Sequence, residues 1–122
     1  MKVLLGMGGS EDSLRALEET VQRSIDAGDD LTIALVENPR SDMTVAELES
    51  RVEEVLSEYG YDADVTRLGG HPGSELVDAA ETGGFEMIVL GGGETSPMGK
   101  ITVGQIAEFV LLNSHVTVKL VR

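Results

Sequence analysis

The stretch EMIVLGGGETSPMGKITVGQIAEFVLLN, residues 86–113, contains the transition on which the predicted fold depends. Its first part, EMIVLG, is a short apolar run of the kind that forms a strand buried on both faces of a sheet. A glycine-rich connection follows, and VGQIAEFVLLN then has apolar residues at helical spacing. This order predicts one unit of an α/β fold, with a loop that is either a phosphate cradle or only a turn.

The remainder of the chain repeats this alternation of apolar runs and amphipathic segments. Strands are also predicted at KVLLGM (2–7), LTIALVE (31–37), DADVTRL (62–68) and VTVKLVR (116–122). Five strands alternating with four helices predict one α/β domain over residues 1–122. Right-handed crossovers then give a three-layer sandwich, with a mostly parallel five-stranded sheet and helices on both faces.

Spacings of three and four residues identify the predicted inward faces of the helices. These residues are Leu14, Leu17, Val21 and Ile25 in the first helix, Leu48, Val52, Val55 and Tyr59 in the second, and Val103, Ile106, Ala107, Val110 and Leu111 in the fourth. The first helix is predicted to begin at Ser10 and to end at Gly28. The second is predicted to begin at a capping box of Thr44 with Glu47 and to end at Gly60.

The third helix follows the turn GGHPGSE, where Gly73 or Ser74 is the predicted cap. His71 in this turn is interpreted as a turn residue, with a ring that lines an adenine crevice as the alternative. His115 precedes the last strand, and we expect no metal role for it.

Charge and composition narrow the possible functions. The chain has 22 acidic and 9 basic residues, a formal net charge of −13, so we expect no nucleic-acid partner. A surface this acidic also suits a protein that works in high salt, where screening removes self-repulsion. The absence of cysteine excludes disulfides and thiolate metal sites. The apolar runs are too short for a signal peptide or a membrane span, so we expect a cytoplasmic protein.

Two common phosphate-binding motifs fit the sequence poorly. The P-loop pattern G-x-x-x-x-G-K-[ST] is met at GK (99–100), but Glu94 stands at its first glycine and Ile101 at its hydroxyl position. The dinucleotide fingerprint begins at GMG (6–8), but Glu11 occupies the position of its third glycine. Neither motif therefore supports a phosphate site.

The whole chain resembles the universal stress protein family. The resemblance is carried by VLLGMGGSEDSLRAL (3–17), by GGHPGSELVDAA (69–80) and, most specifically, by residues 87–122. It implies the strand order 3-2-1-4-5 and a homodimer paired through the last strand, Val116 to Val121. The alternation in that strand suits pairing, because an open sheet edge favours a partner.

The resemblance also implies a site for ATP or another adenine nucleotide, with Mg²⁺. Nucleotide-binding members have G-x2-G-x9-G-[ST] after the fourth strand. Gly91 and Gly104 match this pattern, whereas Glu94 and Gln105 replace its second glycine and its hydroxyl residue. Gly8 stands where an acid usually follows the first strand. These changes predict weak or degenerate binding. The candidate binding residues are Gly8, Leu35, Gly91, Glu94, Ser96, Lys100, Gly104 and Gln105. Among them, Ser96 and Lys100 are the groups that we expect to compensate for the lost contacts.

The leading interpretation is thus a homodimeric regulatory or binding protein with unidentified protein partners and no predicted catalytic residue. One alternative is an enzyme of the related ATP pyrophosphatase type, whose loop S-G-G-x-D-S is similar to MGGSEDS (7–13). Met7 replaces the first serine of that loop, and the chain lacks room for a substrate domain. The other alternative is an interaction scaffold without a small ligand.

Overall fold

Strands and helices alternate along the chain in this computed structural model, which describes residues 1–39, 41–91, 94–95, 101–102 and 104–121. The strands are β1 (Lys2–Met7), β2 (Asp30–Val36), β3 (Asp64–Leu68), β4 (Met87–Gly91), β5 (Glu94–Thr95), β6 (Ile101–Thr102) and β7 (Thr117–Val121). The helices are α1 (Glu11–Ala27), α2 (Val45–Tyr59), α3 (Pro72–Thr82) and α4 (Gln105–Asn113).

Five of the strands form one parallel sheet in the order β3-β2-β1-β4-β7. Since β7 is the fifth predicted strand, the order 3-2-1-4-5 and the α/β class are confirmed. The two short strands β5 and β6 form a separate antiparallel pair. They were not predicted from the sequence, because strands of two residues carry no periodicity signal.

The helices cover both faces of the sheet, as predicted. Successive side chains of a strand point to opposite faces. In β1, Val3, Leu5 and Met7 therefore join the core beneath α1 and α2, and Leu4 joins the core beneath α3 and α4. Strands buried on both faces explain why their sequences are continuous apolar runs.

The predicted caps of α1 and α2 are confirmed. The Ser10 hydroxyl accepts a hydrogen bond from the backbone N–H of Ser13 at 3.1 Å, and the Thr44 hydroxyl accepts one from that of Glu47 at 3.1 Å. The Glu47 side chain completes the capping box by accepting from the backbone N–H of Thr44. Both helices end at a glycine with a left-handed backbone, Gly28 and Gly60.

The predicted cap of α3 was wrong. His71 is the N-cap, and its Nδ1 atom accepts a hydrogen bond from the backbone N–H of Ser74 at 3.1 Å. Pro72 occupies the first helical position, where its missing N–H costs no hydrogen bond. Gly73 and Ser74, the predicted caps, already lie inside the first turn.

Three predicted inward-facing residues are exposed instead: Ile25, Tyr59 and Leu111. In α1 the buried row continues from Val21 to Ser24, so Ile25 is rotated about 100° away from the sheet. Leu14 and Ile106 are half-buried, the other predicted inward-facing residues that can be assessed are buried, and Val103 lies outside the described residues. The spacing of the apolar residues thus identified the buried side of each helix. It did not show which residues near the helix ends face away from the sheet.

The excess of acidic residues predicts that folding depends on salt. Raising KCl from millimolar to molar concentration should raise the melting temperature, because screening weakens the repulsion within a chain of net charge −13. Thermal unfolding followed by circular dichroism measures the effect. A melting temperature that is constant across this range would show that repulsion does not limit stability.

Candidate functional site

The candidate site lies between β1 and β4, where the order in which strands are added to the sheet reverses. β1 and β4 are paired neighbours, with Gly6 beside Leu90 near their carboxyl ends. The helix after β1 covers one face of the sheet, and the helix that follows the β4 connection covers the other. The carboxyl edge between β1 and β4, called the crevice below, is therefore the candidate site, because ligands bind at this point in such folds. The two strands that precede the glycine-rich connections, β1 and β4, are thus adjacent in the sheet.

Gly91 brings the end of β4 into contact with the first turn of α1. A Cβ atom at this position would lie 2.3 Å from the backbone nitrogen of Ser13 and 2.4 Å from the carbonyl carbon of Asp12. Both neighbours are backbone atoms, which cannot move aside as a flexible side chain would. Glycine is thus required here by packing, whatever the ligand.

The other side of the crevice is built from the connections after β1 and β2. A Cβ atom at Gly8 would lie 3.1 Å from the Cβ atom of Asn38 and 3.2 Å from its Nδ2 atom. Gly9 has a φ of 85°, and its carbonyl accepts a hydrogen bond from the Ser41 hydroxyl at 3.2 Å. The β2 connection therefore folds over the β1 connection, and Asn38 occupies the space beside Gly8. Sequence reasoning missed Asn38, because no local pattern links residues 30 positions apart.

The connection after β4 folds partly onto itself. Glu94 pairs with Thr102, and Thr95 pairs with Ile101, in the antiparallel β5–β6 ladder. The candidate residue Glu94 is thus in a short strand and not in an open loop. The candidates Ser96 and Lys100 lie outside the described residues.

The start of α4 offers backbone donors at the carboxyl edge. Gly104 is its N-cap, with φ −65° and ψ 158° and no side-chain capping hydrogen bond. A Cβ atom at Gly104 would have no atom of the described residues within 4 Å, and Gln105 beside it is exposed. The first N–H groups of a helix lack intrahelical acceptors and carry partial positive charge, which favours an anion.

The start of α1 is less suited to an anion. Ser10 already caps it, and its first turn contains Glu11 and Asp12, whereas the first turn of α4 contains one acid, Glu108. Asp12 also forms an ion pair with Arg15. Carboxylates here compensate the helix dipole and repel an anionic ligand. The start of α4 is therefore better suited to bind an anion than the start of α1.

The candidate Leu35 is placed differently from the others. Its side chain is fully buried among the residues beneath α1 and α2. Leu35 lies beside Met7 near the carboxyl end of β2, so only its backbone is available to a ligand in the crevice.

Other features of the described residues do not coincide with this site. A shallow groove on the outer face of α1, lined by Glu19, Gln22, Arg23, Asp26 and Ala27, lies in the half of the helix that is remote from the carboxyl edge. No group of three acidic or histidine side chains in the described ranges is arranged to hold a metal ion. None of the described helices combines the length and apolarity needed to cross a membrane.

Comparison with known proteins places this geometry in a family. The sequence model of the universal stress protein family matches residues 1–122. A universal stress protein of Methanocaldococcus jannaschii is 31% identical over 72 residues, which are 59% of this chain and 42% of that relative. The matched stretch thus spans less than half of the relative's own length.

Solved structures share the fold over the whole chain. A universal stress protein from Archaeoglobus fulgidus superposes with a TM-score of 0.79 at 21% identity, covering 100% of this chain and 98% of that one. A universal stress protein crystallised in complex with cAMP superposes with a TM-score of 0.75 at 24% identity, covering 100% and 96%.

The two family glycines should differ sharply in their tolerance of substitution. Gly91→Ala should destabilise the protein by about 1–3 kcal/mol, because the added methyl group overlaps the backbone of α1. Gly104→Ala is the matched control and should change the free energy of unfolding by less than about 1 kcal/mol, since no atom of the residues that the structure describes lies within 4 Å of its Cβ position. Urea denaturation of both variants measures this, and equal losses would contradict the packing role of Gly91.

Proposed function

Because the chain belongs to the universal stress protein family, we propose that it is a regulatory protein that binds an adenine nucleotide weakly between β1 and β4. The fold supports this location, since β1 and β4 are adjacent and the helices that follow them lie on opposite faces of the sheet. The cAMP complex named above and an Archaeoglobus fulgidus universal stress protein solved with dAMP support the ligand class.

The observation that carries the proposal is the uncapped start of α4 next to the connection from Gly91. No side chain of the described residues caps this helix, and its first N–H groups are the donors that we propose for a phosphate. These donors belong to the backbone and do not depend on the side chain at position 105.

Three changes from the family motif explain why binding is weak. The Glu94 carboxylate repels a triphosphate unless Mg²⁺ bridges the two. Gln105 is larger than the hydroxyl residue of the motif and crowds the phosphate. Gly8 offers no acceptor to the ribose, and Asn38 takes up the space into which an acid at position 8 would extend.

The proposal includes a homodimer paired along β7, which lies at one edge of the sheet. Val118 and Leu120 of this strand are only half-buried, and α4, which packs against the same region, leaves Leu112 77% exposed. The opposite edge strand, β3, exposes Asp64, Thr66 and Arg67. Polar residues protect an edge from pairing, whereas an apolar edge favours a partner.

The pyrophosphatase alternative has less support. Ser13, the last serine of MGGSEDS, is 2% exposed, and its hydroxyl donates to the Ser10 carbonyl at 2.7 Å. Ser10 in turn caps α1. Both hydroxyls thus have structural roles. A scaffold without ligand is distinguished by thermal shift: Mg-ATP should raise the melting temperature of a nucleotide-binding protein and leave that of a scaffold unchanged.

Restoring the family motif should strengthen nucleotide binding. The variant Gly8→Asp, Glu94→Gly, Gln105→Ser with Asn38→Ala should bind Mg-ATP at least about tenfold more tightly than the wild type, or about 1.4 kcal/mol. Isothermal titration measures both affinities. The same variant with Asn38 retained should gain less, because the new side chain at position 8 meets Asn38.

Two results would contradict this account. Sub-micromolar affinity in the wild type would show that the three changes do not weaken binding. An unchanged affinity in the quadruple variant would show that the crevice is closed to nucleotides for another reason.

A proline in β7 should abolish the dimer. Val118→Pro removes a backbone donor and disrupts pairing along the strand, so the variant should sediment as a monomer. Thr66→Pro in the opposite edge strand is the matched control and should remain dimeric. Analytical ultracentrifugation, with circular dichroism to verify folding, measures the outcome. A folded Val118→Pro variant that remains dimeric, or a monomeric wild type, would refute pairing through β7.

A further inference from the structure

The side chain of His71 is exposed, but it contacts two helices, α3 and α4. Its Nδ1 atom accepts the backbone N–H of Ser74 at 3.1 Å, and its carbonyl accepts the backbone N–H of Glu75 at 2.9 Å. On the other side, the centroid of its ring lies 4.8 Å from that of Phe109, with the two planes inclined by 58°. His71 thus closes the first turn of α3 and contacts α4 with the same ring.

The first turn of α3 is packed closely against α4 around Phe109. A Cβ atom at Gly73 would lie 2.6 Å from Cδ1 and 2.8 Å from Cγ of the Phe109 ring. Phe109 is five residues after Gly104, the N-cap of α4, which corresponds to about 7.5 Å along a helix. The first turn of α3 is therefore one restraint on the position of α4, whose start is the proposed anion-binding point.

The cap depends on the protonation state of the ring. A ring nitrogen accepts a hydrogen bond only when it carries no proton. A proton on Nδ1 would oppose the N–H of Ser74 and would add positive charge at a helix N-terminus, where the dipole is already positive. Histidine is the residue type that ordinarily changes charge between about pH 5 and 8.

The charged side chains that the structure describes near His71 do not form ion pairs with it that would offset a positive charge on the ring. On α3, the Glu75 carboxylate lies beside the backbone of Gly70, with Oε1 3.2 Å from the Cβ position there. On α4, the exposed Glu108 is next to Phe109 in sequence. Within the part of the chain that the structure describes, His71 forms no ion pair.

We propose that His71 is a positioning residue that makes ligand binding at the carboxyl edge dependent on pH. When the ring is neutral, it holds the first turn of α3 against Phe109 and keeps the start of α4 directed at the crevice. When the ring is protonated, the cap opens, the packing around Phe109 loosens, and the N–H groups of α4 lose their fixed position. The ligand in this proposal rests on the proposed function, whereas the pH-sensitive cap does not.

The chain offers a matched pair of variants, because it has only two histidines, His71 and His115. In His71→Asn, the amide oxygen can cap α3 in place of Nδ1 but does not titrate. His115→Asn is the control: the His115 side chain is 85% exposed and lies between α4 and β7, away from the carboxyl edge.

Isothermal titration with cAMP at about pH 8 and about pH 5.5 tests the proposal. This probe is chosen because its phosphodiester keeps one negative charge over that range. The wild type and His115→Asn should each bind more weakly at the lower pH, by up to about fivefold, the factor expected if the whole effect of losing a cap is transmitted to binding. His71→Asn should bind equally at both values. A wild type without pH dependence, or a His71→Asn variant that keeps it, would overturn the proposal.

Thermal unfolding of the three ligand-free proteins separates this inference from the proposed function. Lowering the pH should reduce the melting temperature of the wild type relative to that of His71→Asn, because the contribution of the cap is present when the ring is neutral and is lost as it is protonated. A constant difference between the two proteins would refute the pH-sensitive cap. If the wild type binds no cAMP at either pH, the nucleotide proposal fails, and the unfolding result still decides the role of His71.

Discussion

The pairing of β1 with β4 is the constraint on which the rest of the structure depends. These two strands stand at the centre of the sheet, and their side chains fill both cores. Because the helices that follow them lie on opposite faces, the two connections must separate at the carboxyl edge. The location of the candidate site is therefore a consequence of topology, since ligands in such folds bind where two connections separate in this way.

Glycines at this edge have different physical roles, although the sequence presents them as one type. Gly91 permits contact between the end of β4 and the backbone of α1, and Gly9 has the positive φ that the turn after β1 requires. Gly104 has an ordinary backbone conformation, and among the described residues none has an atom within 4 Å of its Cβ position. Of the two glycines of the family motif, Gly91 is thus required by packing, whereas the described contacts give Gly104 no such role.

The electrostatics of the chain bear directly on the function we propose. A net charge of −13 opposes any anionic ligand at long range, so a phosphate must be held by local donors. The backbone N–H groups of α4 act at short range and are little affected by distant carboxylates. Their direction depends on the position of α4, and the contacts of His71 and Gly73 with Phe109 join the middle of α4 to the first turn of α3. These contacts are the basis on which we propose that His71 affects ligand binding.

The sequence by itself determined the class of fold, the strand order through a family resemblance, and most of the helix ends. Apolar runs, helical spacing and caps such as Thr44 with Glu47 are local signals, and local physics produces them. Only the tertiary structure decided which residues meet at the carboxyl edge: Asn38 beside Gly8, Gly91 against α1, and His71 with Gly73 around Phe109. These contacts join residues about 30 or more positions apart. The rotation of each helix and the path of each connection place such residues together, and neither is encoded in a local pattern.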